Sequence, residues 1–431
     1  MKLAVIGGAG VRTPLLVHGL TRSDLPIDTI SLYDPDHERL DVIASLAARL
    51  AGKARVGAAA SVVECVEGAD YIFTSIRVGG IEQRAKDESA ALLHGVIGQE
   101  TVGPGGFAMA LRTIPPIVEY AREIERRAPD AWIINFTNPV GIITQAVRSE
   151  TNARIIGICD TPTELFEEIA HALELPTAEC YFDYFGINHL GWVREVFHRG
   201  RPQLHRLWED RERLSSIYRA PLFDGAFLSE LRLLPTEYVY YYYRASEAFE
   251  NVRRAGLSRG TVIQQLNARL FADLKLPGAD AAAIYERYLS DRNAGYMQIE
   301  SGASERRAPS PWAELTGYDK IALTVVRAIH FSSGAIIPLN VTNGSNLPEL
   351  EPGDVIEVPC VVNANGALPL HAGPVPESVR DLLVQVKDYE RRTIRAALSN
   401  DREAARDALA RNPLVGSSDL AGRLLEALNA L

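Results

Sequence analysis

The chain opens Met1-Lys2-Leu3-Ala4-Val5-Ile6-Gly7-Gly8-Ala9-Gly10, and Thr13-Pro14 follows two residues later. The aliphatic run Lys2–Gly7 predicts a buried strand. Three glycines within residues 7–10 predict a tight turn, and Thr13-Pro14 predicts a helix start. A strand, a glycine turn and a helix N-terminus in that order let backbone amides approach a pyrophosphate at the positive end of the helix. The third glycine of the usual fingerprint is absent, and Thr13 stands near its place. Asp34 ends the next predicted strand, Thr29–Tyr33, where a carboxylate can hydrogen-bond the ribose of NAD and repel the extra phosphate of NADP. Gly7, Gly8, Gly10, Thr13 and Asp34 are therefore candidate NAD-binding residues. The plainer alternative is a structural turn, with Asp34 as a helix cap.

Outward from that turn, short apolar runs alternate with amphipathic stretches. Strands are expected at Tyr71–Ser75, Ala131–Phe136 and Arg154–Ile158, and helices at Glu38–Leu50, Pro115–Arg127 and Gly141–Ser149. Alternation of this kind predicts an α/β fold, a Rossmann-like doubly wound parallel sheet over residues 1–165. The pattern changes after Asp160. Helices are expected at Pro162–Leu175, Leu228–Arg244, Arg259–Leu274, Tyr318–Ser333, Glu377–Leu398, Glu403–Leu409 and Leu420–Leu431, with strands at Tyr181–Phe185 and Val355–Val362. Residues 166–431 are read as an α+β domain for substrate and oligomerisation, with the active site in the cleft between the two regions.

Composition narrows the function classes. The formal net charge of −10 argues against a general binder of nucleic acid or anionic membrane. Cys65, Cys159, Cys180 and Cys360 are scattered without CxxC spacing, so disulfides are not expected and a reducing compartment is. No apolar run is long enough to span a bilayer. The cytoplasm is the expected location.

Two residues far apart carry the chemistry. Cys159, in Ile158-Cys159-Asp160-Thr161-Pro162, ends a predicted strand, and His189 lies in Gly186-Ile187-Asn188-His189-Leu190. Either alone reads as an ordinary core side chain. Beside a nucleotide fold, a thiolate and an imidazole suggest a divalent metal with open positions, acting as a Lewis acid on a substrate with vicinal hydroxyls.

Six ordered stretches sharpen this reading: Gly7–Gly10, Ser75-Ile76-Arg77-Val78-Gly79-Gly80, Gly95–Phe107 with its Gln99-Glu100-Thr101 core, Asn135-Phe136-Thr137-Asn138-Pro139, Cys159–Pro162 and Gly186–Leu190. In them the chain resembles glycoside hydrolase family 4, the NAD- and metal-dependent glycosidases. The Gly95–Phe107 and Asn135–Pro139 stretches look most like 6-phospho-β-glucosidases. The resemblance is dense in the N-terminal half and looser beyond it. Before Tyr318 the chain shows Pro311-Trp312-Ala313-Glu314-Leu315-Thr316-Gly317 where the family commonly has Arg-Gly-Gly.

The resemblance implies NAD and a divalent metal, manganese in the first instance, and a route outside the usual two-carboxylate scheme. Hydride leaves carbon 3 of the sugar, a base removes the carbon 2 proton, and the aglycone is eliminated from carbon 1. Water then adds and the hydride returns, with no net redox change. Cys159 and His189 are the implied metal ligands. Tyr238, in Pro235-Thr236-Glu237-Tyr238-Val239-Tyr240, is the implied base, with Tyr241 as the alternative. Arg84, Asn138 and Arg259 match substrate residues, Arg259 through phosphate, with Asn138 also an expected cofactor-binding residue, and Arg suits forked contacts with phosphate oxygens. Asp160 follows the cysteine where β-specific members often carry Asn and α-specific members carry Asp. It is a candidate catalytic acid that leaves 6-phospho-α-glucosidase open as the alternative, with a helix N-cap as its simpler reading. The implied partner is a small phosphorylated disaccharide or glucoside, and the implied assembly a homodimer or homotetramer. A plain NAD-dependent dehydrogenase is the competing enzyme class, and an NAD-sensing module the competing non-enzyme.

Overall fold

The computed structural model describes residues 1–218, 222–302 and 317–430. The first half holds six strands: β1 (Lys2–Ile6), β2 (Thr29–Tyr33), β3 (Arg55–Ala58), β4 (Tyr71–Thr74), β5 (Trp132–Asn135) and β6 (Arg154–Gly157). They pair in parallel in the order β3-β2-β1-β4-β5-β6. That is the dinucleotide-binding order, and its crevice opens where the direction of winding reverses, between β1 and β4. Helices cover both faces, so Leu3–Ile6 and Tyr71–Thr74 are buried throughout, as central parallel strands must be. The edge strand β3 gave no hydrophobic signal in the sequence, because Arg55, Gly57 and Ala58 face solvent.

Next come β7 (Cys180–Ile187) and β8 (Leu190–His198), an antiparallel hairpin whose partners are β9 (Arg201–Pro202) and β10 (Leu234–Pro235). Then β11 (Ala335–Thr342), β12 (Val355–Asn363) and β13 (Gly366–Pro369) extend the first sheet antiparallel to nine strands, joining β6 through the register pair Asn340 and Gly157. The sheet thus runs from the first half of the chain into the second. The result is a mixed α/β fold, a Rossmann-like sheet with a C-terminal α+β part.

Two expectations are corrected. The helix expected at Leu228–Arg244 is broken: a short helix ends at Leu231, β10 intervenes, and a 3-10 turn spans Glu237–Val239 before a single helical turn at Tyr240–Tyr243. Pro235 removes an amide that a continuous helix needs, and β10 pairs instead with Val193 and Trp192 of β8. The helix expected from Pro115 starts earlier, at Pro104. Its glycine-rich first turn hid it, although Pro suits the first helical position. All four cysteines are free. Among the described residues no helix is long and apolar enough to cross a membrane.

Candidate active site

At the nucleotide end, the amides of Gly7 and Gly8 both donate to the Tyr33 carbonyl (2.9 Å each), and Gly10 donates back to Gly7 (3.0 Å). Gly7 sits at φ +92°, and a Cβ there would lie 2.3 Å from the Ser75 carbonyl oxygen. Only glycine lets the turn after β1 touch the segment after β4. Gly7→Ala is therefore expected to weaken NAD binding by at least about tenfold, since positive φ alone costs about 1–3 kcal/mol and the clash adds to it; quenching of protein fluorescence by NAD measures this. Thr13 is buried in the first helical turn. Asp34 accepts from the amides of Ala9 (3.3 Å) and Asp36 (3.0 Å), so its carboxylate braces the glycine turn. It is not the helix cap: Asp36 caps the helix His37–Leu50 by accepting from Arg39 N (3.0 Å).

Cys159 lies two residues beyond β6 and is buried; its thiol meets Thr161 Oγ1 at 3.4 Å. Burial, then the carboxylates of Glu357 and Asp160, push that thiol well above its ordinary value. His189 is the second residue of the two-residue turn between Ile187 and Leu190, which pair across the hairpin. It sits at φ +64°, a conformation that costs a non-glycine residue about 1–2 kcal/mol and is held only where surrounding structure enforces it. Burial pushes its imidazole down to about 3, so the ring is neutral, and its Nδ1 is buried with no hydrogen-bond partner. A thiol that ionises only beside a cation and a neutral imidazole with an unused nitrogen suit a divalent metal. Among the described residues, no three His, Cys, Asp or Glu side chains gather into a fuller ligand set. Two ligands alone would leave a metal open positions for substrate.

The Tyr238 ring stacks flat on the His189 ring, with centroids 3.7 Å apart and planes 4° from parallel. Tyr238 lies in the 3-10 turn; Tyr240 and Tyr241 follow it and are buried in the core, the Tyr241 ring 6.1 Å from that of Tyr238. Tyr241 instead aims its hydroxyl at the Met297 sulfur, 3.5 Å away. Asp160 stands at the N-cap position of the helix Thr161–Ala172 but makes no capping bond with its side chain. Its carboxylate approaches Gly317, as does the Arg12 guanidinium from the glycine turn.

Arg84, on the helix Gly80–Leu93, lies within electrostatic reach of Tyr238. Glu88 holds its Nε at 2.8 Å and Glu100 its Nη1 at 2.7 Å. Glu100 also takes Arg77 at 2.6 Å. Burial acts to raise the Glu100 carboxyl, and the Arg77 and Arg84 guanidiniums override it and hold the group at about 2. A carboxyl lower in the folded than in the unfolded chain stabilises above its unfolded value and loses that contribution as pH falls through its folded one. Stability is thus expected to fall by about 3 kcal/mol between pH 4.5 and pH 2 through this group alone. Urea unfolding of Glu100→Gln across the same interval should lack that component.

Glu88 extends the cluster by accepting from the Gly260 amide (2.7 Å) at the start of the helix Arg259–Leu274. Arg259 is mostly buried, gives Nη2 to the Arg292 carbonyl (2.6 Å), and forms no ion pair among the described residues; its Nη1 has no partner. Burial and Arg292 push it down to about 10. A buried cation in this condition is a ready anion contact. Arg84, Glu88, Ser258, Arg259 and Glu300 line one cleft there. The Asn138 side-chain oxygen is likewise buried without a partner. The unusual segment 311–316 lies outside the described residues.

Sequence reading missed Glu100, Arg77 and Glu88 as the frame around Arg84, although the first two stand inside quoted motifs. It also missed Glu357, whose signal was a single acid within the apolar run Val355-Ile356-Glu357-Val358.

The N-terminal profile of the "Family 4 glycosyl hydrolase" group matches residues 2–175, and the profile of its C-terminal domain matches residues 184–415. The chain belongs to glycoside hydrolase family 4. It is 32% identical to a probable 6-phospho-beta-glucosidase of Bacillus subtilis, over 99% of this chain and 95% of that one. The 6-phospho-beta glucosidase of Thermotoga maritima, solved with manganese, NAD+ and glucose-6-phosphate, superposes with a TM-score of 0.82 at 29% identity, covering 99% and 97% of the two chains. A 6-phospho-alpha-glucosidase from gut microorganisms, solved with NAD and glucose-6-phosphate, gives a TM-score of 0.82 at 26% identity over 100% and 97%.

Proposed function

We propose that the protein is an NAD- and divalent-metal-dependent 6-phospho-β-glucosidase, with manganese as the metal. The observation that carries this is the Tyr238 ring lying on His189, which sets a phenol against one metal ligand with Arg84 in reach. The NAD, manganese and glucose-6-phosphate held by the Thermotoga maritima relative support the same reading. When bound, NAD supplies a hydride acceptor and the metal a Lewis acid.

The chain's own residues divide the work. Gly7, Gly8, Gly10 and Thr13 receive the pyrophosphate, and Asp34 takes the ribose. Cys159 and His189 hold the metal. Arg84 and Asn138 orient the sugar, and Arg259 takes the 6-phosphate with its unused Nη1. Tyr238 removes the proton from carbon 2, where the neighbouring carbonyl has made it acidic, and Arg84 favours its phenolate. Asp160 protonates the departing oxygen. Burial of His189 and Cys159 keeps bulk water from the unsaturated sugar until addition.

A second reading has one observation in its favour. The resemblance implies Asp at the position of Asp160 in α-specific members, and the gut enzyme gives the same TM-score of 0.82. One assay separates these. Release of nitrophenol from 4-nitrophenyl β-D-glucoside 6-phosphate is expected only with both NAD and manganese present, and more slowly from the α-anomer. Release after both are removed, or NADH accumulating in proportion to substrate, would overturn the proposal, the latter in favour of a dehydrogenase.

A further inference from the structure

Glu357 is the third residue of β12, 1% exposed, among Val355, Ile356 and Val358. A carboxylate in such a run is costly to bury unless its oxygens are fully engaged. Three neutral donors engage it. Tyr184 Oη donates to Oε2 at 2.7 Å, Asn340 Nδ2 to Oε1 at 2.7 Å, and Asn188 Nδ2 to Oε1 at 3.4 Å. No lysine or arginine pairs with it among the described residues.

Those donors sit on the elements that carry the two proposed ligands. Asn188 is the first residue of the hairpin turn and His189 the second. Asn340 pairs in register with Gly157, two residues before Cys159. Tyr184 belongs to β7, the strand leading into the turn. The hairpin is shaped for this contact: a Cβ on Gly191 would lie 2.1 Å from Tyr184 Oη, so a side chain there would expel the phenol from its bond to Glu357. One carboxylate thus ties the end of β6 to a turn whose second residue is held at positive φ.

We infer that Glu357 is a positioning residue for the metal site, holding the His189 turn against the Cys159 strand through Asn188 and Asn340. The inference rests on the proposed binding of a metal by Cys159 and His189. Outer carboxylates of this kind change metal affinity by about 10–100-fold when removed.

The test is titration of the full chain with Mn2+, following the free ion by electron paramagnetic resonance, with NAD affinity measured in parallel. Glu357→Gln and Asn188→Ala should each bind Mn2+ about 10–100-fold more weakly. The double variant should be no weaker than the worse single within about twofold, because both break one tether. NAD affinity should be unchanged in all three, which a general loss of packing would not allow. If Glu357→Gln does not fold, Asn188→Ala decides alone. Unaltered Mn2+ binding by Asn188→Ala, additive losses in the double variant, or an equal loss of NAD affinity each overturns the inference. Cys159→Ser separates the two levels. If it binds Mn2+ as the unaltered chain does, the metal assignment itself has failed. If it loses Mn2+ while Asn188→Ala keeps it, only the tether has.

Discussion

Cys159→Ser is expected to lower kcat/KM by at least about a thousandfold while leaving NAD affinity intact. A bound divalent metal contributes several kcal/mol of charge stabilisation in the transition state, and each 1.4 kcal/mol or so is tenfold in rate. Serine is nearly the same size and can keep the Cys159 hydrogen bond to the Thr161 hydroxyl. The unfolding midpoint should therefore move by no more than a few degrees. What serine cannot supply is a soft, ionised donor in a buried place, because an alkoxide there is far harder to form than a thiolate. Steady-state rates at saturating manganese, set beside thermal unfolding, check this. A serine variant within tenfold of the unaltered chain would remove Cys159 from the chemistry.

Tyr238→Phe is expected to lower kcat by about 10²–10⁴-fold with little change in KM, the range for a lost general base. The geometry makes the substitution clean. The phenylalanine ring can keep its stack on His189, so the loss reports the hydroxyl and not the packing. Exchange of the carbon 2 proton with deuterated solvent should stop in the variant. In the unaltered enzyme, a substrate deuterated at carbon 2 should react more slowly. If exchange persists in Tyr238→Phe and is lost in Tyr241→Phe, the base is Tyr241, despite its buried hydroxyl facing the Met297 sulfur.

Much of the nucleotide half was legible because its determinants are local. Lys2–Ile6 is apolar enough to be a central strand in any context, and Gly7 can be nothing else where two crossing segments touch. The helix Arg259–Leu274 was read to the residue, since Ser258 announces it as an N-cap. The tyrosine segment was not legible. Its aromatic spacing fits a helix, but Pro235 and the pairing of β10 with Trp192 divert the chain into a 3-10 turn. The same limit applied to charge. Arg84 was visible as a cation, but Glu88, Glu100 and the Gly260 amide that define its surroundings come from separate elements.

The sequence by itself determined the parallel sheet, the glycine turn and which residue types were available for metal, base and phosphate, because hydrophobic period and backbone freedom act over a few neighbouring residues. Only the tertiary structure decided that Tyr238 lies on His189, that Arg259 has a buried Nη1 without a hydrogen-bond partner among the described residues, and that Glu357 reaches the turn beside His189. Those contacts depend on strand register and on sheet strands contributed from opposite ends of the chain. Register is set by long-range pairing and burial, which no stretch of sequence carries on its own.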